Sequence, residues 1–112
     1  MTPGEIRGKT LSELRRARRD MMSAEWLAGV KDLPEADCTE AATALLDVCL
    51  AIRRLENVRV ADIRRELVDN EKELERGLRN LGQAREKLQR IKTYLKAATT
   101  LVATVGRVVK PL

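Results

Sequence analysis

Residues 60–109 read VADIRRELVDNEKELERGLRNLGQAREKLQRIKTYLKAATTLVATVGRVV, and an apolar residue recurs at every seventh position of this stretch. A strict seven-residue repeat drifts only slowly around an α-helix, so it lays one apolar seam along one helical face. Such a seam is stable only when another helix covers it. The stretch therefore predicts helix–helix packing. The recurring residues are Val60, Leu67, Leu74, Leu81, Leu88, Leu95, Val102 and Val109.

A second column of the same repeat contains smaller and more polar residues. Gly77 and Ala84 stand where a parallel dimer prefers large apolar side chains, and Asn70 is polar. Small residues allow two helix backbones to approach closely, so we predict a tight interface. The predicted seam consists of Val60, Ile63, Leu67, Asn70, Leu74, Gly77, Leu81, Ala84, Leu88, Ile91, Leu95, Val102 and Val105.

Charge divides this stretch into an acidic and a basic half. Acidic residues concentrate between Glu66 and Glu75, and basic residues between Arg85 and Lys96. An antiparallel arrangement brings opposite signs together, whereas a parallel one in register places like charges side by side. Each exposed pair contributes only about 0–1 kcal/mol, but several act in the same direction. The charges therefore favour antiparallel pairing.

Two all-α structures satisfy this pairing. In the first, residues 59–109 form one long continuous helix that pairs with a second copy. In the second, the chain turns back at Asn80–Gly82 and forms a compact four-helix bundle. Gly82 is typical of a helix end, but the residues after it offer no N-cap, and the repeat crosses the glycine in phase. We favour the continuous helix and keep the bundle as the alternative.

The preceding residues predict a short arm and two shorter helices. Residues 1–9 contain two glycines and a proline and are expected to form a flexible N-terminal arm. A capping-box pattern, Thr-x-x-Glu, predicts a first helix over residues 10–31. A proline ends it, and a second helix is predicted over residues 38–57. Residues 10–112 then form a single helical domain, as the length of 112 residues suggests.

The composition argues against an enzyme. Aromatic residues make up only 2% of the chain, too few for a typical β-rich core, and charged residues make up 35%. The absence of histidine removes the commonest general base and the commonest metal ligand. The two cysteines do not match a zinc motif, and no glycine-rich phosphate loop is present. We predict no catalytic site, no metal and no cofactor.

The main functional prediction is a helical interaction or scaffolding protein. It self-associates through the seam, most simply as an antiparallel homodimer, or binds another helical protein there. The net charge of +5 also favours acidic partners. The candidate contacts for an anionic partner are four arginines of the first predicted helix: Arg15, Arg16, Arg18 and Arg19.

A membrane-surface function is one alternative. Residues 97–106 carry no charge and are flanked by lysines and arginines, which suits a helix that lies on a membrane or assembles within it. The apolar stretch is shorter than a bilayer needs, so a spanning anchor is disfavoured. The N-terminus shows no secretory signal, and we expect a cytoplasmic protein.

Nucleic-acid binding is a second alternative. Residues 60–81 resemble a helix-turn-helix, with residues 68–70 as the turn and the following residues as the reading helix. However, that helix begins with Glu71 and Glu73, whose carboxylates are repelled by phosphates. We therefore expect nucleic acid to be a poor partner.

Overall fold

Six α-helices follow one another in the computed structural model, which describes residues 1–109. No β-strand occurs within this range, so the all-α class predicted from the sequence is confirmed. The helices are α1 (Pro3–Asp20), α2 (Ala24–Lys31), α3 (Glu35–Asn57), α4 (Val60–Asp69), α5 (Glu71–Arg85) and α6 (Ile91–Val108).

The N-terminal residues belong to α1, and the flexible arm predicted over residues 1–9 is wrong. Thr2 caps the helix, because its Oγ1 accepts a hydrogen bond of 3.2 Å from the backbone N–H of Glu5. Pro3 is tolerated because the first turn of a helix needs no backbone N–H from it. Ile6 is only 1% exposed, so this turn is held by the core.

The predicted helix over residues 10–31 is two helices. The chain bends at residues 21–23, and Ser23 caps α2 by accepting a hydrogen bond of 3.2 Å from the backbone N–H of Trp26. The second predicted helix is present as α3, which begins three residues earlier than expected and ends at Asn57 as predicted.

The continuous helix predicted over residues 59–109 is wrong, because it is interrupted twice. Asn70 separates α4 from α5, and residues 86–90 form a turn between α5 and α6. The alternative of a compact helical bundle is confirmed, but it has six helices, and its predicted reversal at Asn80–Gly82 lies inside α5. Both arms of an antiparallel hairpin need an apolar face, so an unbroken repeat does not reveal where the chain turns.

The helices pack into a bundle in which α5 and α6 form an antiparallel hairpin with the most extensive contact. Helix α6 packs against α5 and α3, and α1 packs against α3, α4 and α5. The shorter α2 contacts α3 and α6. The Cα radius of gyration is 14.0 Å, close to the value of about 13 Å expected for a globular chain of this length. One chain therefore covers its own apolar faces, and the elongated shape is not adopted.

Candidate binding surfaces

The predicted seam lies inside the bundle. Its members on α5 pack against α6 and α1, within the same chain. This burial corrects the prediction that the seam faces another chain. Asn70 does not meet a second helix: its Nδ2 donates a hydrogen bond of 2.8 Å to the carbonyl oxygen of Glu66 at the end of α4. Buried members are Ile63, Leu67, Leu74, Gly77, Leu81, Ala84, Ile91, Leu95 and Val105, and half-buried ones are Val60, Asn70, Leu88 and Val102.

The four candidate arginines of α1 do not form one anion site. Arg15 lies 2.9 Å from a carboxylate oxygen of Glu56, and Arg16 lies 3.6 Å from one of Glu13. Arg18 and Arg19 make no ion pair with residues 1–109. Two of the four arginines therefore have an acidic partner within the chain, which weakens this cluster as a binding surface.

A polar cluster not predicted from the sequence joins α1, α5 and α6. The Arg85 guanidinium donates to Asp20 at 2.8 Å and to Glu13 at 3.0 Å. The Tyr94 hydroxyl donates to the same Asp20 oxygen at 2.9 Å. The Trp26 ring meets the Tyr94 ring edge-on, with centroids 5.1 Å apart. The charged side chains are only 15–21% exposed, so the cluster is largely shielded from water.

Burial and charge shift the acidity of this cluster. Burial raises the pKa of Tyr94, and the negative charge of Asp20 and its hydrogen bond raise it further. Burial by itself lowers the pKa of Arg85, but hydrogen bonds to Asp20 and Glu13 outweigh it and raise the pKa overall. Both shifts keep the tyrosine neutral and the arginine charged. The cluster ties three helices together.

A long groove runs between the outer faces of α5 and α6. Near the turn it encloses about 640 Å³, and a further hollow of about 350 Å³ continues along the hairpin. The two hollows share the residues Gly77, Asn80 and Thr100. The floor consists largely of small side chains, and basic side chains project from both helices. The basic lining residues are Arg76, Lys87, Arg90, Lys96 and Arg107.

A second candidate binding surface, after the α5–α6 groove, lies on the outer face of α3. Leu46 and Leu50, one helical turn apart, are 57% and 40% exposed. A small hollow of about 90 Å³ lies beside them, between α3 and α6. Apolar residues recur on most of the circumference of α3, and the sequence pattern did not single out these two leucines as an exposed surface.

The apolar C-terminal helix is a core element. Leu101, Val105 and Val108 of α6 are at most 3% exposed, so the face expected to meet a membrane packs against the protein itself. Within residues 1–109, no helix combines the length and the apolar character that crossing a membrane requires. The helices of the helix-turn-helix interpretation exist as α4 and α5, but only Asn70 lies between them.

Metal-binding side chains are not clustered in the part of the chain that the structure describes. Cys38 and Cys49 are free and half-buried. The Cys38 thiol, in the first turns of α3, donates to the carbonyl oxygen of Val30 near the end of α2 at 3.1 Å. Comparison of the chain with protein-family models, curated proteins and solved structures finds no match.

Proposed function

We propose that the protein is a non-enzymatic helical interaction protein that self-associates through the outer face of α3. The observation that carries the proposal is the exposure of Leu46 and Leu50 on adjacent turns of that helix. Single exposed leucines are ordinary on protein surfaces. Two of them one turn apart form a continuous apolar ridge, and a second helix can remove such a ridge from water.

The surroundings of this ridge are suited to helix packing. The hollow beside it is lined on its apolar side by Leu50, Ala51 and Val102, among others. On the other side of the ridge, Ala42 and Cys49 are short and uncharged. A leucine from a second helix can enter the hollow while the short side chains let the backbones approach. This is the ridge-into-groove contact by which helices pack.

Charge favours a second copy of α3 as the occupant. The N-terminal half of the helix is acidic and includes Glu40, whereas Arg53 and Arg54 lie near its C-terminal end. In an antiparallel pair centred between Leu46 and Leu50, Arg53 of one copy lies opposite Thr43 of the other, within one helical turn of its Glu40. A parallel pair would place like charges together. The antiparallel pair is also two-fold symmetric and therefore closes as a dimer.

Three further features support a non-enzymatic, intracellular role. The chain contains no histidine. The carboxylates of Glu13 and Asp20 accept hydrogen bonds from Arg85 and so take part in a contact between helices. Both cysteines are free thiols, which is typical of a reducing compartment, and we propose the cytoplasm.

The test compares two variants that place one charge on an equally exposed apolar position. Leu46→Glu puts a carboxylate on the proposed interface, and Val68→Glu puts one on α4, where the valine is 54% exposed. We expect the wild type and Val68→Glu to show twice the chain mass of 12.6 kDa by sedimentation equilibrium. We expect Leu46→Glu to weaken dimerisation at least about tenfold.

Circular dichroism serves as the control for folding. We expect Leu46→Glu to keep its helices, because the position is on the surface. A wild type that stays monomeric at every concentration contradicts the proposal. An equal loss of dimer in Val68→Glu also contradicts it, because it would place the interface elsewhere or make it a general effect of charge.

A further inference from the structure

The groove between α5 and α6 is long enough to hold one more helix. Its two hollows are continuous along the hairpin, from the Arg90 end of α6 to Arg107, which spans about 25 Å at the rise of an α-helix. A peptide helix of about 17 residues covers that length. Two neighbouring helices offer a third one a groove of this kind, as in helical bundles.

The floor of the groove allows close approach of a helix backbone. Gly77 and Ala84 are buried beneath the groove, and Ala97, Thr93 and Thr100 line it with short side chains. The close packing of α5 on α6 explains the glycine: a Cβ at Gly77 would lie 3.1 Å from Cδ1 of Leu101. The floor therefore offers a partner mainly methyl groups of alanine and threonine, together with the polar side chains of Asn80 and Gln83.

The edges of the groove carry positive charge that residues 1–109 do not neutralise. Arg76, Lys87, Arg90 and Lys96 make no ion pair with any residue from 1 to 109. Of the two acidic residues in the lining, Glu73 is already paired with Arg107. A ligand in the groove therefore meets a positive field, which an acidic ligand compensates.

The lining distinguishes between acidic ligands. Single-stranded nucleic acids gain much of their affinity by stacking bases on aromatic side chains. The lining of the two hollows contains no aromatic residue. A floor of small apolar groups between basic edges instead complements an amphipathic helix, which has an apolar stripe flanked by carboxylates.

We infer that the α5–α6 groove is a docking site for an acidic amphipathic helix of a partner protein. The apolar stripe of that helix lies on the methyl groups of Ala97, Thr100 and Ala103, and its glutamates or aspartates pair with Arg90, Lys96 and the other basic edges. The site is separate from the α3 surface, so it does not depend on self-association. It gives the protein a second interface, with which a dimer would hold two copies of the partner.

The probe is a fluorescein-labelled, helix-forming peptide of about 18 residues with an alanine and leucine stripe flanked by glutamates. Fluorescence anisotropy measures its binding to the full chain. We compare Arg90→Glu/Lys96→Glu with the control Arg19→Glu/Arg64→Glu, which makes the same change of net charge at exposed positions outside the groove. The groove variant is expected to weaken binding at least about tenfold, and the control less than about threefold.

A third variant tests whether binding depends on the shape of the groove independently of its charge. Thr100→Trp fills the groove at an exposed position without changing any charge, and we expect it to abolish peptide binding while circular dichroism stays unchanged. Leu46→Glu is expected to bind the peptide as the wild type does, so a failure of the α3 proposal leaves this test intact.

Three outcomes would overturn the inference. The first is a wild type that does not bind the peptide, or that binds a peptide with the same composition in scrambled order equally well. The second is an equal loss in the control variant, which would indicate non-specific attraction. The third is tighter binding of a fluorescent DNA oligonucleotide than of the peptide, with the same sensitivity to Thr100→Trp, which would assign the groove to nucleic acid.

Discussion

Leu81 and Leu88 occupy equivalent positions of the seven-residue repeat, yet the fold places them differently. Leu81 lies inside α5 and is 0% exposed, whereas Leu88 lies in the turn between α5 and α6 and is half-buried. In a continuous coiled coil the two leucines would have the same environment and would contribute equally to the free energy of unfolding. Truncating each to alanine therefore tests the position of the turn.

The burial of each leucine sets the expected magnitude. Leu81→Ala removes a fully buried side chain and leaves a cavity, which lowers the free energy of unfolding by about 3 kcal/mol. Leu88→Ala loses less apolar contact, and we expect a decrease of about 1 kcal/mol. For a domain of this size 1 kcal/mol corresponds to roughly 4 °C in Tm, so Leu81→Ala lowers Tm by about 12 °C and Leu88→Ala by about 4 °C.

Urea denaturation and thermal melting followed by circular dichroism measure both quantities. Equal destabilisation by the two substitutions would refute the hairpin, because it would mean that Leu88 is as deeply packed as Leu81. A larger effect at Leu88 would refute it as well. The m-value of both variants should match the wild type, since neither substitution changes the surface that unfolding exposes by much.

Two further predictions concern the polar cluster and the glycines of α5. Burial and Asp20 raise the pKa of Tyr94 above its ordinary value of 10.0, so above about pH 10 the folded chain keeps a proton that the unfolded chain loses. The titration of Tyr94 should therefore leave the free energy of unfolding unchanged below about pH 10 and lower it as the pH rises further. The phenolate absorbance reports this directly, since Tyr94 is the only tyrosine, and ordinary titration near pH 10 in the folded protein would be the opposite result. Gly82→Ala should raise the free energy of unfolding by about 0.5–1 kcal/mol, because a Cβ there meets nothing within 4 Å and glycine is a poor helix former. Gly77→Ala should bring no such gain, because its Cβ would crowd Leu101, and equal urea midpoints for the two variants would contradict this.

The helical class and several helix limits follow from local sequence. The end of α3 at Asn57 was predicted from the residues around it, and the serine cap of α2 is a local signal of the same kind. Helix formation depends on apolar spacing, caps and breakers within a few residues, so such features can be predicted from sequence. The predicted N-terminal arm was wrong because Pro3 and its neighbouring glycine are compatible with a first helical turn that the core holds through Ile6.

The binding surfaces could not be predicted in the same way. Leu46 and Leu50 belong to a broadly apolar helix, and their exposure depends on which sides of α3 the helices α1 and α6 cover. The basic groove depends on the position of the turn after α5, and no glycine or proline marks that turn. The surfaces are therefore consequences of packing.

The sequence by itself determined that apolar seams with a seven-residue period exist and that opposite charges favour antiparallel arms, because both properties repeat along the chain. Only the tertiary structure decided that the seam closes within one chain. The contacts that fix this closure join residues far apart in sequence: Arg85 reaches back to Asp20 and Glu13, across 65 and 72 positions. A periodic pattern indicates which face of a helix must be covered. The free energy of the whole packed bundle determines which helix covers it.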